Sequence, residues 1–106
     1  MEKNERIVVI CSGWNNRINL EDTLFAGAFV KKMKLLMPVE ADSDAPVMAL
    51  DLWESAKANP LDFVKNSEHY RRLQLYGFEN DAEYCIAQNT LALVPYYDFK
   101  TKLLRV

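Results

Sequence analysis

The fold of this chain is decided by residues 11–36, CSGWNNRINLEDTLFAGAFVKKMKLL. Residues 11–22 are rich in side chains that favour turns and that also bind ligands, and the rest has the composition of a long helix. Asn19 can cap that helix, and Asp22 follows three residues later, much as in a capping box. Residues 24–30 are apolar almost all round, which predicts a helix enclosed between other elements.

Short apolar runs outside this helix predict a small sheet. Residues 7–10 (IVVI) form a β-branched run typical of a strand covered on both faces. Residues 91–94 predict another strand, and Pro95 confines its far end to an edge or a bend. Residues 96–106 predict a last strand or hairpin arm, with Asp98 near its turn.

The middle of the chain predicts several further helices. Pro38 ends the first helix, and an exposed acidic linker follows over residues 39–44. Further helix starts are indicated at Pro46, Asn59-Pro60, Ser67 and Asn80. The order of elements predicts an α/β fold, a small sheet with helices packed on it, in a single domain over residues 1–106. So small a sheet is typical of half of a larger unit.

Composition excludes several classes of protein. Half of the 106 residues are hydrophobic and 26% are charged, as in ordinary soluble domains. The net charge of −2 and the lack of a basic stripe argue against nucleic-acid binding. No run approaches the roughly 20 apolar residues that span a membrane. The polar start, residues 1–6, does not resemble a signal peptide. We therefore expect a cytoplasmic protein.

Three residues need separate interpretation. Cys11 and Cys85 lie far apart and form no CxxC pair, so neither a zinc site nor a disulfide is indicated, and we expect both side chains in the core. Trp14 is a large aromatic residue in a polar loop. It could form the wall of a ligand pocket or pack against a partner surface.

The loop over residues 11–18 is a candidate anion site. A buried strand that leads through a glycine-bearing loop to a helix start is a geometry that binds anions. Gly13 would let the backbone approach a ligand closely. Arg17 could bind a phosphate or sulfonate with two parallel hydrogen bonds. Neutral donors are offered by Ser12, Asn15 and Asn16.

Glu21 and Asp22 are the candidate metal ligands and, with His69, the candidate catalytic residues. Mg²⁺ binds few carboxylates, keeps waters and shares phosphate oxygens. His69, the single histidine, could act as a base or as a donor to phosphate. Ordinary structure also explains these residues, because acids in a first helical turn stabilise the helix by about 0.3–1 kcal/mol and asparagines form turns. Spacing alone names no reaction, since the loop matches neither the GxxxxGK(S/T) nor the GxGxxG phosphate-binding motif.

Several separated motifs resemble the 2-phosphosulfolactate phosphatase family, also called the ComB family. The run ICSGWNNRINLEDTLFAGAFVKKM is similar to a cysteine-x-glycine loop followed by LEDxxxAGxxV in that family. Ser67 and His69 match a serine-x-histidine pair, YGFENDAEYC matches an LGFExDxxxC stretch, and LVP matches a valine-valine-proline strand. The resemblance covers nearly the whole chain, in the right order. Asn16 and Tyr70 stand where the family often has glycine.

The resemblance implies an activity and partners. It implies Mg²⁺-dependent hydrolysis of a phosphate monoester, 2-phospho-3-sulfolactate, to sulfolactate and phosphate, as in coenzyme M biosynthesis. It also implies that this chain corresponds to the carboxyl-terminal half of the family, because the DVxRATT, GERxG and TTNGT motifs of the amino-terminal half do not occur here. We expect a homodimer or a partner amino-terminal half, and the chain alone to be inactive. The alternative is a non-catalytic interaction or regulatory domain that retains the fold.

Overall fold

The computed structural model describes residues 5–106, which form five helices and one two-stranded antiparallel sheet. The predicted α/β class with a small sheet is confirmed. Residues 1–4, where no signal peptide was predicted, lie outside the described residues. The elements are α1 (Leu20–Leu36), α2 (Asp44–Ala56), α3 (Pro60–Val64), α4 (Glu68–Leu75), α5 (Asp81–Ile86), β1 (Tyr96–Asp98) and β2 (Leu103–Arg105).

Helices α1 and α2 pack closely through small residues. Gly27 of α1 is buried, and a Cβ atom there would collide with the Ala49 carbonyl oxygen and lie 2.8 Å from Cβ of Trp53. Glycine therefore permits this approach of the two backbones. Lys31 Nζ lies 2.8 Å from Glu54 Oε1 across the helix pair. This contact, with that of Lys57, lowers the pKa of Glu54.

The core is small and lies beneath the start of α1. Leu24, Ala56 and Val64 are almost fully buried, and half-buried apolar side chains of α2, α3 and α5 pack against them. The prediction that residues 24–30 would be enclosed on all sides is wrong, because Phe25 is 65% exposed. Helix α2 covers α1, but no described element covers Phe25.

The strand predicted over residues 7–10 is not formed. This segment has no regular structure, and Ile7, Val8 and Ile10 are exposed. A strand needs a neighbour to satisfy its backbone donors and acceptors. The described part of the chain contains only the carboxyl-terminal pair of strands, and those pair with each other.

Near the carboxyl terminus, one of the predicted strand segments is not formed and the other is. Residues 91–94 are irregular and exposed, so the strand predicted there is wrong. The hairpin over residues 96–106 is confirmed, with Tyr96 paired to Arg105 and Asp98 to Leu103. Asp98 ends β1, and its carboxylate accepts hydrogen bonds from the Lys100 and Thr101 amides at 2.9 and 3.3 Å.

Most predicted helix starts are confirmed. Helix α2 contains Pro46, the Asn59 side chain caps α3 by accepting from the Asp62 amide at 3.1 Å, and Ser67 caps α4. Asn80 precedes α5 but makes no side-chain capping bond. Among residues 5–106, no helix is long and apolar enough to cross a membrane.

Candidate functional site

Residues 14–17 form a tight two-residue turn. The Trp14 N–H donates to the Arg17 carbonyl at 3.0 Å, and the Arg17 N–H donates to the Trp14 carbonyl at 2.9 Å. Asn15 and Asn16 have φ of 50° and 59°, as a type I′ turn requires, and asparagine tolerates this region better than most residues. The turn is exposed to solvent. Asn16, which stands where the family often has glycine, thus has a positive φ that glycine adopts readily.

Gly13 packs against the backbone of the turn itself. Its φ is 67°, and a Cβ atom would collide with the carbonyl oxygen of Arg17. Its N–H donates to Asp22 Oδ2 at 2.8 Å. The close approach of Gly13 is therefore to the chain itself and its amide is already bonded, while its contact with a ligand stays a prediction.

The first turn of α1 is held by two separate sets of hydrogen bonds. The Asn19 side chain accepts from the Glu21 and Asp22 amides at 3.0 and 3.3 Å, so the predicted cap is confirmed. Asp22 does not complete a capping box, since its carboxylate accepts from Gly13, with the Ser12 hydroxyl at 3.5 Å. Asp22 therefore fastens the turn to the helix.

Glu21 is held by a residue distant in sequence. The Ser67 hydroxyl donates to Glu21 Oε1 at 2.9 Å and accepts from the Tyr70 amide at 2.9 Å. Ser67 is only 4% exposed. The other carboxylate oxygen, Glu21 Oε2, is buried and has no hydrogen-bond partner among the described residues. A buried polar atom without a partner is costly, which makes it a candidate ligand atom.

A cavity of about 560 Å³ adjoins this first turn. It brings together Glu21, Asp22 and His69, the three predicted catalytic candidates. The remaining wall is largely apolar and comes from all five helices and from residues 87–89. The predicted substrate-binding residues of the turn do not line it; these are Ser12, Gly13, Asn15, Asn16 and Arg17. The predicted anion donors therefore lie outside the wall of this cavity, although Gly13 and Ser12 contact Asp22 Oδ2.

No cluster of three or more histidine, cysteine or acidic side chains suited to a metal occurs within residues 5–106. Glu21 and Asp22 therefore offer two carboxylates, with no third side chain of these types placed to complete a metal site among the described residues. Both donors to Asp22 reach Oδ2, so Oδ1 accepts no hydrogen bond from the described residues. Each acid therefore keeps one oxygen without a described partner.

Arg72 lies beside Trp14 and His69, a position that the sequence did not predict. Its guanidinium lies 4.7 Å from the centre of the Trp14 ring, and Nη2 lies 3.2 Å from His69 Nδ1. A smaller hollow of about 90 Å³ is lined by Trp14, Arg72, His69 and Glu21. The spacing of three residues between His69 and Arg72 on α4 was the available signal. Trp14 thus lines a hollow, one of its two predicted roles.

Arg17 has an ion-pair partner that was not predicted, and the two cysteines are more exposed than predicted. Arg17 Nη1 lies 3.5 Å from Glu68 Oε1, with two thirds of its side chain exposed. Cys11 and Cys85 are both free and exposed, so their predicted place in the core is wrong. Cys11 lies in an irregular segment, and α5 turns Ala82, rather than Cys85, toward the core.

Comparison with known proteins decides the family. Residues 1–100 match the sequence profile described as 2-phosphosulpholactate phosphatase. The chain belongs to this family. A relative from Thermotoga maritima, named probable 2-phosphosulfolactate phosphatase, is 36% identical over 95 residues, 90% of this chain and 40% of that protein. One from Caldanaerobacter subterraneus with the same name is 30% identical over 94 residues, 89% of this chain and 39% of that protein.

This chain spans about 40% of the length of the curated members of the 2-phosphosulpholactate phosphatase family that it matches. No solved structure matches it. The family motifs carry Glu21, Asp22, Ser67 and His69, which the fold brings to one place. Their roles in binding remain predictions.

Proposed function

We propose that this chain contributes the acids and the histidine of a site that hydrolyses a phosphate monoester of the 2-phosphosulfolactate type, as in coenzyme M biosynthesis. The product pair would be sulfolactate and phosphate. One observation carries the proposal: Glu21, with a buried carboxylate oxygen lacking a described partner, lines the same cavity as Asp22 and His69. Family membership supplies the reaction class.

Mg²⁺ is the proposed cofactor, and the donor set fits it. A hydrated Mg²⁺ needs only one or two carboxylate oxygens, with waters and phosphate oxygens completing its shell. Glu21 Oε2 and Asp22 Oδ1 would be those oxygens. When bound, Mg²⁺ neutralises phosphate charge and activates or orients the attacking water.

The chain's own residues have distinct tasks in this proposal. Ser67 holds Glu21 through Oε1, and Oε2, which has no described partner, would bind the ligand. Asp22 keeps the turn against α1 through the Gly13 amide. Arg17, exposed beside the turn, would attract the anionic substrate, and His69 would contact it from α4. Phosphoryl transfer depends mainly on such positioning and on electrostatics.

Mg²⁺ titration calorimetry of the intact chain tests the metal role. We expect Glu21→Gln and Asp22→Asn to weaken Mg²⁺ binding by at least about tenfold. The amide side chain introduced by Asp22→Asn still offers an oxygen to the Gly13 amide, so the turn should persist. Asp44→Asn is the matched control, because Asp44 also lies in a first helical turn but lines neither described cavity. An unchanged isotherm in Glu21→Gln would exclude the metal role.

A phosphatase assay with Mg²⁺ tests the reaction. We expect no turnover by this chain alone, and turnover when a family amino-terminal half is added. Activity in the mixture that survives Glu21→Gln would contradict the assigned site. The second candidate function is a non-catalytic interaction domain, which the exposed apolar surface favours. That function predicts stable association with the added half but no hydrolysis.

A further inference from the structure

The His69–Arg72 contact determines which ring nitrogen can carry a proton. Arg72 Nη2 and His69 Nδ1 lie 3.2 Å apart. A guanidinium donates hydrogen bonds and accepts none, and it stays charged in proteins. Nδ1 must therefore accept, and the proton of the neutral imidazole lies on Nε2. A doubly protonated ring would set one N–H against another.

Arg72 is held in place from two sides. The Trp14 ring lies 4.7 Å from its guanidinium carbon, a distance typical of cation–π contact. Glu68 Oε1, one helical turn earlier on α4, lies 3.8 Å from Nη1. The side chain is only 25% exposed, so the guanidinium is fixed beside the imidazole rather than free in solvent.

His69 reaches both hollows of the site. It lines the 560 Å³ cavity with Glu21 and Asp22, and the 90 Å³ hollow with Arg72 and Trp14. No described residue hydrogen-bonds its Nε2. This nitrogen is therefore the ring atom left for a ligand.

We propose that Arg72 is a positioning residue that fixes His69 in the neutral Nε2–H tautomer, so that His69 donates a hydrogen bond to a phosphate oxygen and is not a general base. Nδ1 cannot accept a further proton while Arg72 occupies it, and Nε2 already carries one. Of the two roles open from the sequence, only the donor fits. The identity of the ligand rests on the proposed function, but the tautomer does not.

Nitrogen NMR of the imidazole tests the tautomer directly. His69 is the single histidine, so its ring signals need no assignment among others. Spectra are recorded about two units above the ordinary histidine pKa of about 6.5. We expect only the Nε2–H form in the wild type and a mixture of tautomers in Arg72→Met. Arg71→Met, which removes the neighbouring exposed arginine, should match the wild type.

Two results would overturn the tautomer assignment. One is a populated Nδ1–H form in the wild type. The other is a ring spectrum that Arg72→Met leaves unchanged. Neither measurement depends on Mg²⁺ or on hydrolysis. Failure of the phosphatase assay therefore overturns the proposed function and leaves this inference standing.

Titration with inorganic phosphate tests the donor role. We expect phosphate to shift the Nε2 signal of the wild type more than the Nδ1 signal. His69→Phe should weaken phosphate binding by between about twofold and tenfold, the loss of one hydrogen bond. His69→Gln, which keeps an N–H donor but is no base, should restore part of that affinity. An unmoved Nε2 signal, or equal binding by all three proteins, would exclude the donor role.

Discussion

At the scale of single residues, the positions that most clearly require a particular amino acid are the two glycines with positive φ. Gly13 and Gly77 have φ of 67° and 73°. A Cβ atom would collide with the Arg17 carbonyl at Gly13, but would meet nothing within 4 Å at Gly77. The two positions therefore share a backbone conformation and differ in their surroundings.

We expect Gly77→Ala to destabilise the chain by about 1–2 kcal/mol, the cost of a left-handed conformation for an L-residue. Gly13→Ala should cost a further 1–3 kcal/mol or so, because the collision forces the turn to move. Urea unfolding followed by circular dichroism gives both values. Equal losses of stability would show that the turn adjusts freely, and would contradict the tight packing of Gly13 on Arg17.

Ser67 is the second residue whose effect can be measured, because it joins α4 to Glu21. Ser67→Ala should lower the free energy of unfolding by about 2 kcal/mol, through loss of a helix cap and of a buried hydrogen bond. Ser43→Ala is the control, since Ser43 precedes α2 without capping it, and should change stability by less than about 0.5 kcal/mol. A similar effect of both substitutions in thermal unfolding would argue against the Ser67 contacts.

At the scale of elements, the carboxyl-terminal hairpin is stabilised by one carboxylate. Hydrogen bonds from Lys100 first, then from Thr101 and Arg105, lower the pKa of Asp98 from its ordinary 3.8. A group whose pKa is lowered by folding stabilises the folded form above its unfolded pKa. That contribution is lost as the pH falls through the folded value. The hairpin should therefore be ordered at neutral pH and loosen below 3.8.

Amide NMR of Lys100 and Thr101 across an acid titration checks this pH dependence. We expect both amide signals to move as the pH falls through the lowered pKa of Asp98. In Asp98→Asn the side-chain oxygen can still accept both bonds, but no charge titrates, so the signals should stay constant. A wild-type titration that persists in Asp98→Asn would assign the loosening to another group.

The elements also show what local sequence can predict. Caps at Asn19, Asn59 and Ser67 were recognisable because the capping bond joins residues two or three positions apart. The runs at 7–10 and 91–94 look like strands but are not, because a strand depends on a partner that no local pattern supplies. The final hairpin is the exception, since both of its strands lie within one short segment.

At the scale of the whole molecule, the small core contrasts with a large exposed apolar surface. Exposed residues include Phe25 on α1, Leu75 on α4, Val94, and Leu104 on the hairpin. Monomeric soluble proteins rarely expose extended apolar patches unless these bind a partner. The predicted homodimer or partner half is consistent with this surface, and association remains a prediction.

We expect the chain to self-associate as its concentration rises, which sedimentation velocity over a range of concentrations would detect. Apolar contact should drive the association, so added salt, which screens charges, should not reverse it. A single monomeric species at every concentration would contradict this prediction. Dissociation by salt would instead indicate ion pairs as the cause.

The sequence by itself determined the helix starts, the terminal hairpin, the family and the three candidates that share a cavity. These features follow from residues close together in the chain or from motifs kept in order. Only the tertiary structure decided that Asp22 binds Gly13, that Ser67 holds Glu21 across 46 positions, and that Arg72 stacks on Trp14. The physical reason is that a side chain's hydrogen-bond partner depends on which segments pack together, and burial leaves each polar atom few partners from which to choose.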